Sequence, residues 1–204
     1  MITLYRHPLS GHAHRVELFL SLIGQDFERI DIDLLTGAHK TPDFLSLNPA
    51  GQVPVLDDNG LILTDSNAIL VYLARRYADK SWYPDDAILG AEIQKWLSTA
   101  AGDIKTGPCD ARLVTVFGAG LDHDKAKATT SALFERLNAH LEARSWLADT
   151  NPTLADVAAY TYIAHAPEGG VALTPYPNIQ TWLRRVEDLP GFLAMQRTAT
   201  AEAA

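Results

Sequence analysis

Cysteine is nearly missing from this chain: Cys109 is the only one in 204 residues. A disulfide framework, a cysteine-based zinc ribbon and a CxxC dithiol each need more than one, so all three are excluded. Basic side chains are also in short supply, with 17 Lys and Arg against 25 Asp and Glu and a net charge of -8. A nucleic acid is held by a basic surface, so it is not the expected partner. No stretch approaches the ~20 consecutive apolar residues of a membrane span, and the opening MITLYRHPLS carries no apolar run of signal-peptide length. The expected setting is therefore reduced and cytoplasmic, with no membrane partner. What remains is a globular composition, 47% hydrophobic and 21% charged, over a length that suits one to two domains.

The apolar pattern orders the first part of the chain. Ile2, Leu4 and Tyr5 form a strand-like run stopped by Pro8 and the Ser10-Gly11 turn signal. Val16, Phe19, Leu20 and Ile23 fall at i, i+3, i+4 and i+7, and Gly24 stands where a helix C′ residue belongs. Leu18 and Leu22 make that helix apolar on its second face as well. Phe27 to Leu34 reads as a strand and Pro42 to Leu47 as a short helix. The apolar runs Val53 to Leu56 and Leu61 to Leu63 flank Asp57-Asp58-Asn59-Gly60, a hairpin signal because Asn-Gly tolerates positive φ. A helix follows Thr64-Asp65-Ser66 and reaches about Tyr77. The order is β-α-β-α-β-β-α over residues 1–78, with a linker at 79–85.

No convincing strand follows. Ile88 to Ile104 is helical and is broken or kinked at Gly107-Pro108. Leu133, Leu137 and Leu141 mark a long helix ending near Trp146. Thr153-Leu154-Ala155-Asp156 has the form of a capping box, and Pro177 opens a helix carrying Ile179, Trp182, Leu183 and Val186 on one face. The Ala-rich tail Ala199 to Ala204 is expected to fray. The expected fold is an α/β domain followed by an all-helical domain spanning 86–204.

Three segments carry possible chemistry. In Asn48-Pro49-Ala50-Gly51-Gln52-Val53-Pro54, Pro54 has no N–H for a sheet ladder. It is either a plain edge-strand proline or, if cis, a kink that offers the Val53 backbone to a peptide-like ligand. Asp65 and Ser66 at a helix mouth are either caps or an adjacent anion and anion hole suited to an amino-acid zwitterion. Ser10 lies between a strand and a helix, where α/β sheets bind ligands, and reads equally as a turn or N-cap serine. There is no G-x-S-x-G elbow. His7, His12 and His14 cluster, but no HExxH or matching Cys or carboxylate pattern accompanies them, so no metal is expected. Cys109 reads as a small buried hydrophobe.

In this order and spacing the segments resemble the cytosolic glutathione transferases, of the serine type found in bacteria, over nearly the whole chain. The resemblance rests on Asn48 to Pro54, on Thr64-Asp65-Ser66-Asn67-Ala68-Ile69, and on the capping box at Thr153 to Asp156. It implies a thioredoxin-like glutathione-binding domain and an all-helical domain supplying the electrophile pocket, with 100–117 near that pocket. It gives Val53, with Pro54 cis, to the cysteinyl backbone of glutathione, and Asp65 and Ser66 to the γ-glutamyl ammonium and carboxylate. Gln52, His39 and Lys40 would lie near the glycine end. Ser10, five residues before Arg15, would stabilise the thiolate, with Tyr5 as the alternative hydroxyl. The cosubstrate is glutathione and the partner a small electrophile. A glutathione-dependent disulfide reductase or peroxidase and a non-catalytic binding protein are the other readings of the fold. A two-fold homodimer is also implied.

Overall fold

The alternation Ile2, Thr3, Leu4, Tyr5 places Ile2 and Leu4 in the core and leaves the other two half-buried, the signature of a strand covered more fully on one face. A computed structural model describes residues 1–198, so the expected fraying of Ala199 to Ala204 lies outside the described residues. Strand β1 (Ile2–Arg6) pairs in parallel with β2 (Phe27–Asp31), and helix α1 (Gly11–Leu22) makes the crossover between them. Helix α2 (Pro42–Leu47) follows. Then β3 (Val55–Asp58) and β4 (Leu61–Thr64) form a hairpin, completing a sheet in the order β2-β1-β3-β4. Asn59 and Gly60 both adopt positive φ, 52° and 92°, as the tight turn requires. Helix α3 (Ser66–Tyr77) packs on α1.

Two expected strand boundaries shift, each for a local reason. The second strand stops at Asp31 instead of running to Leu34, because Asp33 Oδ1 accepts the N–H groups of Leu35 and Thr36 at 2.9 and 3.2 Å and turns the chain. The third strand begins at Val55, after Pro54, whose missing N–H cannot join the ladder. Ala38–Lys40 adds a 3-10 turn that the pattern did not predict.

The second part of the chain is helical: α4 (Ala87–Ala101), α5 (Asp110–Phe117), α6 (His123–His140), α7 (Leu154–Ala164) and α8 (Pro177–Glu187). The expected break at Gly107-Pro108 is a π-helical turn over Lys105–Cys109. A Cβ at Gly107 would lie 3.1 Å from Thr130 Oγ1, so glycine permits the close approach of α6. Helix α6 ends at His140, short of Trp146, because the following loop is pinned through Leu147. Its carbonyl accepts from Trp96 Nε1 at 3.0 Å and lies 2.9 Å from His140 Nε2, while its N–H donates to Asp156 Oδ1 at 3.0 Å.

The capping box at α7 is present. Thr153 Oγ1 accepts from Ala155 N–H at 3.3 Å, and Asp156 takes Thr153 N–H at 3.0 Å. Asp156 also accepts from Trp182 Nε1 at 2.9 Å, so one buried carboxylate ties α7, α8 and the Leu147 loop together.

Among the described residues the chain divides into two compact units, 1–79 with 190–196, and 80–189 with 197–198. The pattern assigned all of 86–204 to the helical part, whereas 190–196 packs with the first unit. His14 Nε2 lies 2.8 Å from Leu193 O, and Ser21 Oγ donates to Gly191 O at 2.6 Å. Lys80–Trp82, inside the expected linker, forms a short 3-10 turn.

Two buried carboxyls of the helical unit shift in opposite directions. Burial pushes Asp156 up to about 6 despite its hydrogen bonds. Burial acts the same way on Glu168, but hydrogen bonds from His165, Thr198 and Arg112 outweigh it and hold the group at about 2. Arg112 Nε donates to Glu168 Oε2 at 2.6 Å, and His165 Nδ1 lies 2.6 Å from Oε1. The folded value of Glu168 lies below the ordinary 4.5, so its stabilisation is complete above that pH and is lost as pH falls toward 2. In urea unfolding, Glu168→Gln is expected to cost about 3 kcal/mol at neutral pH, with the difference from wild type shrinking steadily below pH ~4. A pH-independent difference would contradict the assignment.

Candidate functional site

Two helix N-termini meet in the first unit, and each is capped in a way that leaves polar groups open. Ser10 caps α1 from an extended conformation, its Oγ accepting Ala13 N–H at 3.3 Å. The hydroxyl proton of Ser10 makes no hydrogen bond within the described residues. Asp65 caps α3 at φ 67° and ψ 119°, a backbone region that non-glycine residues rarely occupy. Its Oδ1 takes the N–H groups of Asn67 and Ala68 at 3.0 and 2.9 Å. Within the described residues, the other Asp65 oxygen and the Ser66 N–H are left without partners.

Arg15 joins the two helix ends. Only 1% exposed, it extends from α1 and donates through Nη1 to Ser66 Oγ at 2.9 Å and Asn67 Oδ1 at 2.8 Å. His12, one turn earlier, places Nδ1 3.4 Å from the same Ser66 Oγ. The arrangement can hold a zwitterion. A carboxylate would meet the Ser66 N–H and hydroxyl at the positive end of α3 above a guanidinium, and an ammonium would meet the open Asp65 oxygen.

A second group lies on the loops before β3. Val53–Pro54 is cis, and neither the N–H nor the C=O of Val53 is hydrogen-bonded within the described residues. Buried Asn48 shapes this loop, donating to Gln52 O at 2.8 Å and accepting Ala50 N–H at 3.1 Å. Gly51 at φ 58° is obligatory, since a Cβ there would come within 2.8 Å of His39 O. The Gln52 side-chain amide makes no hydrogen bond within the described residues, and His39 Nδ1 is shielded from solvent without a hydrogen-bond partner. Lys40 is already engaged, donating to Gly51 O at 3.0 Å and Ala50 O at 3.3 Å.

Residues 1–75 match the N-terminal domain of glutathione S-transferases, and residues 121–190 match the C-terminal domain. The chain belongs to the glutathione S-transferase family. It is 30% identical over 194 residues to glutathione S-transferase 2 of Anopheles gambiae, covering 94% of this chain and 93% of that protein. Against glutathione S-transferase GstB of Escherichia coli it is 31% identical, covering 93% and 95%. Among solved structures, a delta-class glutathione transferase of Nilaparvata lugens superposes with a TM-score of 0.85 at 36% identity, covering 94% and 91%. A possible glutathione S-transferase from Rhodopseudomonas palustris gives 0.88 at 31%, covering 97% and 99%. The expected fold, a thioredoxin-like domain followed by an all-α domain, is therefore that of the family, and the chain is a transferase enzyme whose cosubstrate is glutathione.

The remaining expected residues are placed as follows. The Tyr5 ring packs edge-on against Phe44 of α2, with centroids 6.5 Å apart. Its neighbour Leu4 is fully buried on the opposite face of β1. Among the described residues no group of three or more His, Cys, Asp or Glu is arranged to hold a metal, and no helix is long and apolar enough to cross a membrane. The sequence reading gave no role to Arg15, His12 or Asn67. The signal for Arg15 was its position next to Val16 on a helix with two apolar faces, where a charge must be buried against a partner.

Arg15→Met is expected to lose two charge-assisted hydrogen bonds and about 3 kcal/mol of stability, read as a lower urea midpoint. An unchanged midpoint would show that Arg15 does not tie the transferase's two helix ends.

Proposed function

We propose that the chain binds glutathione across the two groups of residues above and stabilises its thiolate through Ser10. The observation that carries this is the α3 N-terminus, where among the described residues a Ser66 N–H without a partner, and a Ser66 hydroxyl held by Arg15, stand beside an Asp65 oxygen without a partner. That pairing suits the γ-glutamyl end, with its carboxylate on Ser66 and its ammonium on Asp65. The Val53 backbone would exchange two hydrogen bonds with the cysteinyl unit, next to Pro54, as an added strand does. His39 and Gln52 would take the glycine carboxylate. Lys40, already tied to the loop carbonyls, acts there mainly by fixing the loop and adding positive charge.

The chemistry follows from the thiol. At a pKa of ~8.5 only a few per cent of free glutathione is thiolate at neutral pH, and the thiolate is the nucleophile. A hydrogen bond donated by Ser10 Oγ and the positive end of α1 favour the charged form. Each unit by which the pKa falls is worth about 1.4 kcal/mol. The sulfur then attacks an electrophilic carbon, forming a C–S bond as the leaving group departs with its electron pair; the thiol proton goes to solvent. Ser10 is favoured over Tyr5 because its hydroxyl caps α1 beside the α3 site, while the Tyr5 ring is engaged with Phe44. In this reading residues 1–78 bind glutathione, the helical part selects the electrophile, and the enzyme works as a cytoplasmic two-fold dimer, which sedimentation would check.

Ser10→Ala is expected to raise the pKa of bound glutathione by about one unit with little change in affinity, followed by thiolate absorbance against pH. An unchanged pKa moves the role to another donor. Asp65→Ala and Ser66→Ala are each expected to lose retention on immobilised glutathione, with weakened binding still measurable by calorimetry. Wild type that neither binds the resin nor shifts its melting temperature with glutathione would end the proposal.

A further inference from the structure

Ser66 carries more than its expected role can account for. Its hydroxyl has one proton and two lone pairs. Arg15 Nη1 fills one lone pair at 2.9 Å, and a guanidinium can only donate. The direction of the remaining proton is therefore set by whatever else faces Oγ, and the group that faces it is His12, with Nδ1 at 3.4 Å. Two arrangements follow. If Nδ1 is bare, it accepts the Ser66 proton and turns the hydroxyl away from an incoming carboxylate. If Nδ1 carries hydrogen, it donates into the second lone pair, and the Ser66 proton points outward.

We propose that His12 is a positioning residue for glutathione: with hydrogen on Nδ1 it holds the Ser66 hydroxyl as a donor toward the γ-glutamyl carboxylate. This rests on the reading of Ser66 as that carboxylate's partner. The placement of His12 supports it. It lies in the first turn of α1, two residues after the cap Ser10 and three before Arg15, so the helix that carries the proposed thiolate donor also carries both groups that face Ser66. A separation of 3.4 Å is long for a finished hydrogen bond, and a carboxylate drawing the hydroxyl proton outward would strengthen the Nδ1–H donation behind it. With both lone pairs filled by donors, Ser66 Oγ becomes a fixed donor whose one proton belongs to the ligand. Discrimination then works at the amino-acid end of the tripeptide, away from the sulfur.

The test uses the full chain and calorimetric titration with glutathione. Phe at position 12 keeps a ring and removes the nitrogen, whereas Asn can present an amide N–H where Nδ1–H stood. His12→Phe is expected to weaken glutathione about fivefold, leaving the pKa of the bound thiol at its wild-type value. His12→Asn is expected to recover binding to within about twofold. In a Ser66→Ala background, His12→Phe is expected to add no further loss. The role of His12 is overturned if His12→Phe binds like wild type, if His12→Asn binds as weakly as His12→Phe, or if the two losses are additive. It is also overturned if the thiol pKa moves with His12→Phe, since His12 would then act at the sulfur. Wild type that fails to bind glutathione overturns the underlying reading of Ser66 as well, and so is distinguishable from failure of the His12 role alone.

Discussion

The first unit depends on a positive charge buried where positive charge is already concentrated. Arg15, 1% exposed, donates to Ser66 and Asn67 beneath the N-terminal end of α3 while extending from the first turns of α1. Each helix N-terminus carries roughly half an elementary positive charge of its own. The two Nη1 bonds go to neutral oxygens, which orient the guanidinium toward the α3 end. A carboxylate brought to the open end of α3 would meet this guanidinium and the helix dipole together. Asp65 stands beside that end with one oxygen engaged in capping and the other without a hydrogen bond among the described residues. The φ of 67° at Asp65 is the conformational cost of capping α3 while committing only one carboxylate oxygen to the cap.

The same contrast explains how a chain of net charge -8 can serve an anionic tripeptide. Overall charge governs encounter at long range and is screened within about 8 Å at physiological salt. Holding a carboxylate is a matter of two or three donors at contact distance. Charge elsewhere is organised for structure. Glu17, buried on α1, is bridged by Arg6 at 2.9 Å and Arg29 at 2.5 Å and ties that helix to β1 and β2. In the helical unit, Asp156 and Glu168 do comparable work with opposite electrostatics. Asp156 is surrounded by neutral donors and pays for its burial with a raised pKa, whereas Glu168 has a guanidinium against it and is held low.

Much of this was legible in the sequence because it is local. The Asn59-Gly60 turn, Thr153 to Asp156 as a capping box, Pro177 at a helix start and Ser10 and Asp65 at helix mouths are each specified within a few residues. Boundaries failed where a side chain interfered with a good pattern, as Asp33 does at the end of β2 and Leu147 does after α6. The long-range parts were not legible. Nothing near Arg15 reveals that its partners lie some fifty residues on, and nothing in Lys40 shows that its ammonium belongs to the carbonyls of Ala50 and Gly51. For the same reason His12 read as one of three clustered histidines, when its Nδ1 lies 3.4 Å from Ser66 Oγ, 54 residues on.

Residues 190–196 return to the first unit after the chain has built the helical one. Gly191, at φ 82°, lets the backbone pass so close to α1 that a Cβ would lie 2.6 Å from Ser21 O. Leu193 O meets the ring of His14, and Met195 is buried. In topological terms the five-helix part is an insertion, bracketed by two pieces of one body. A fragment cut at residue 79 would therefore lack a strap that belongs to its own packing.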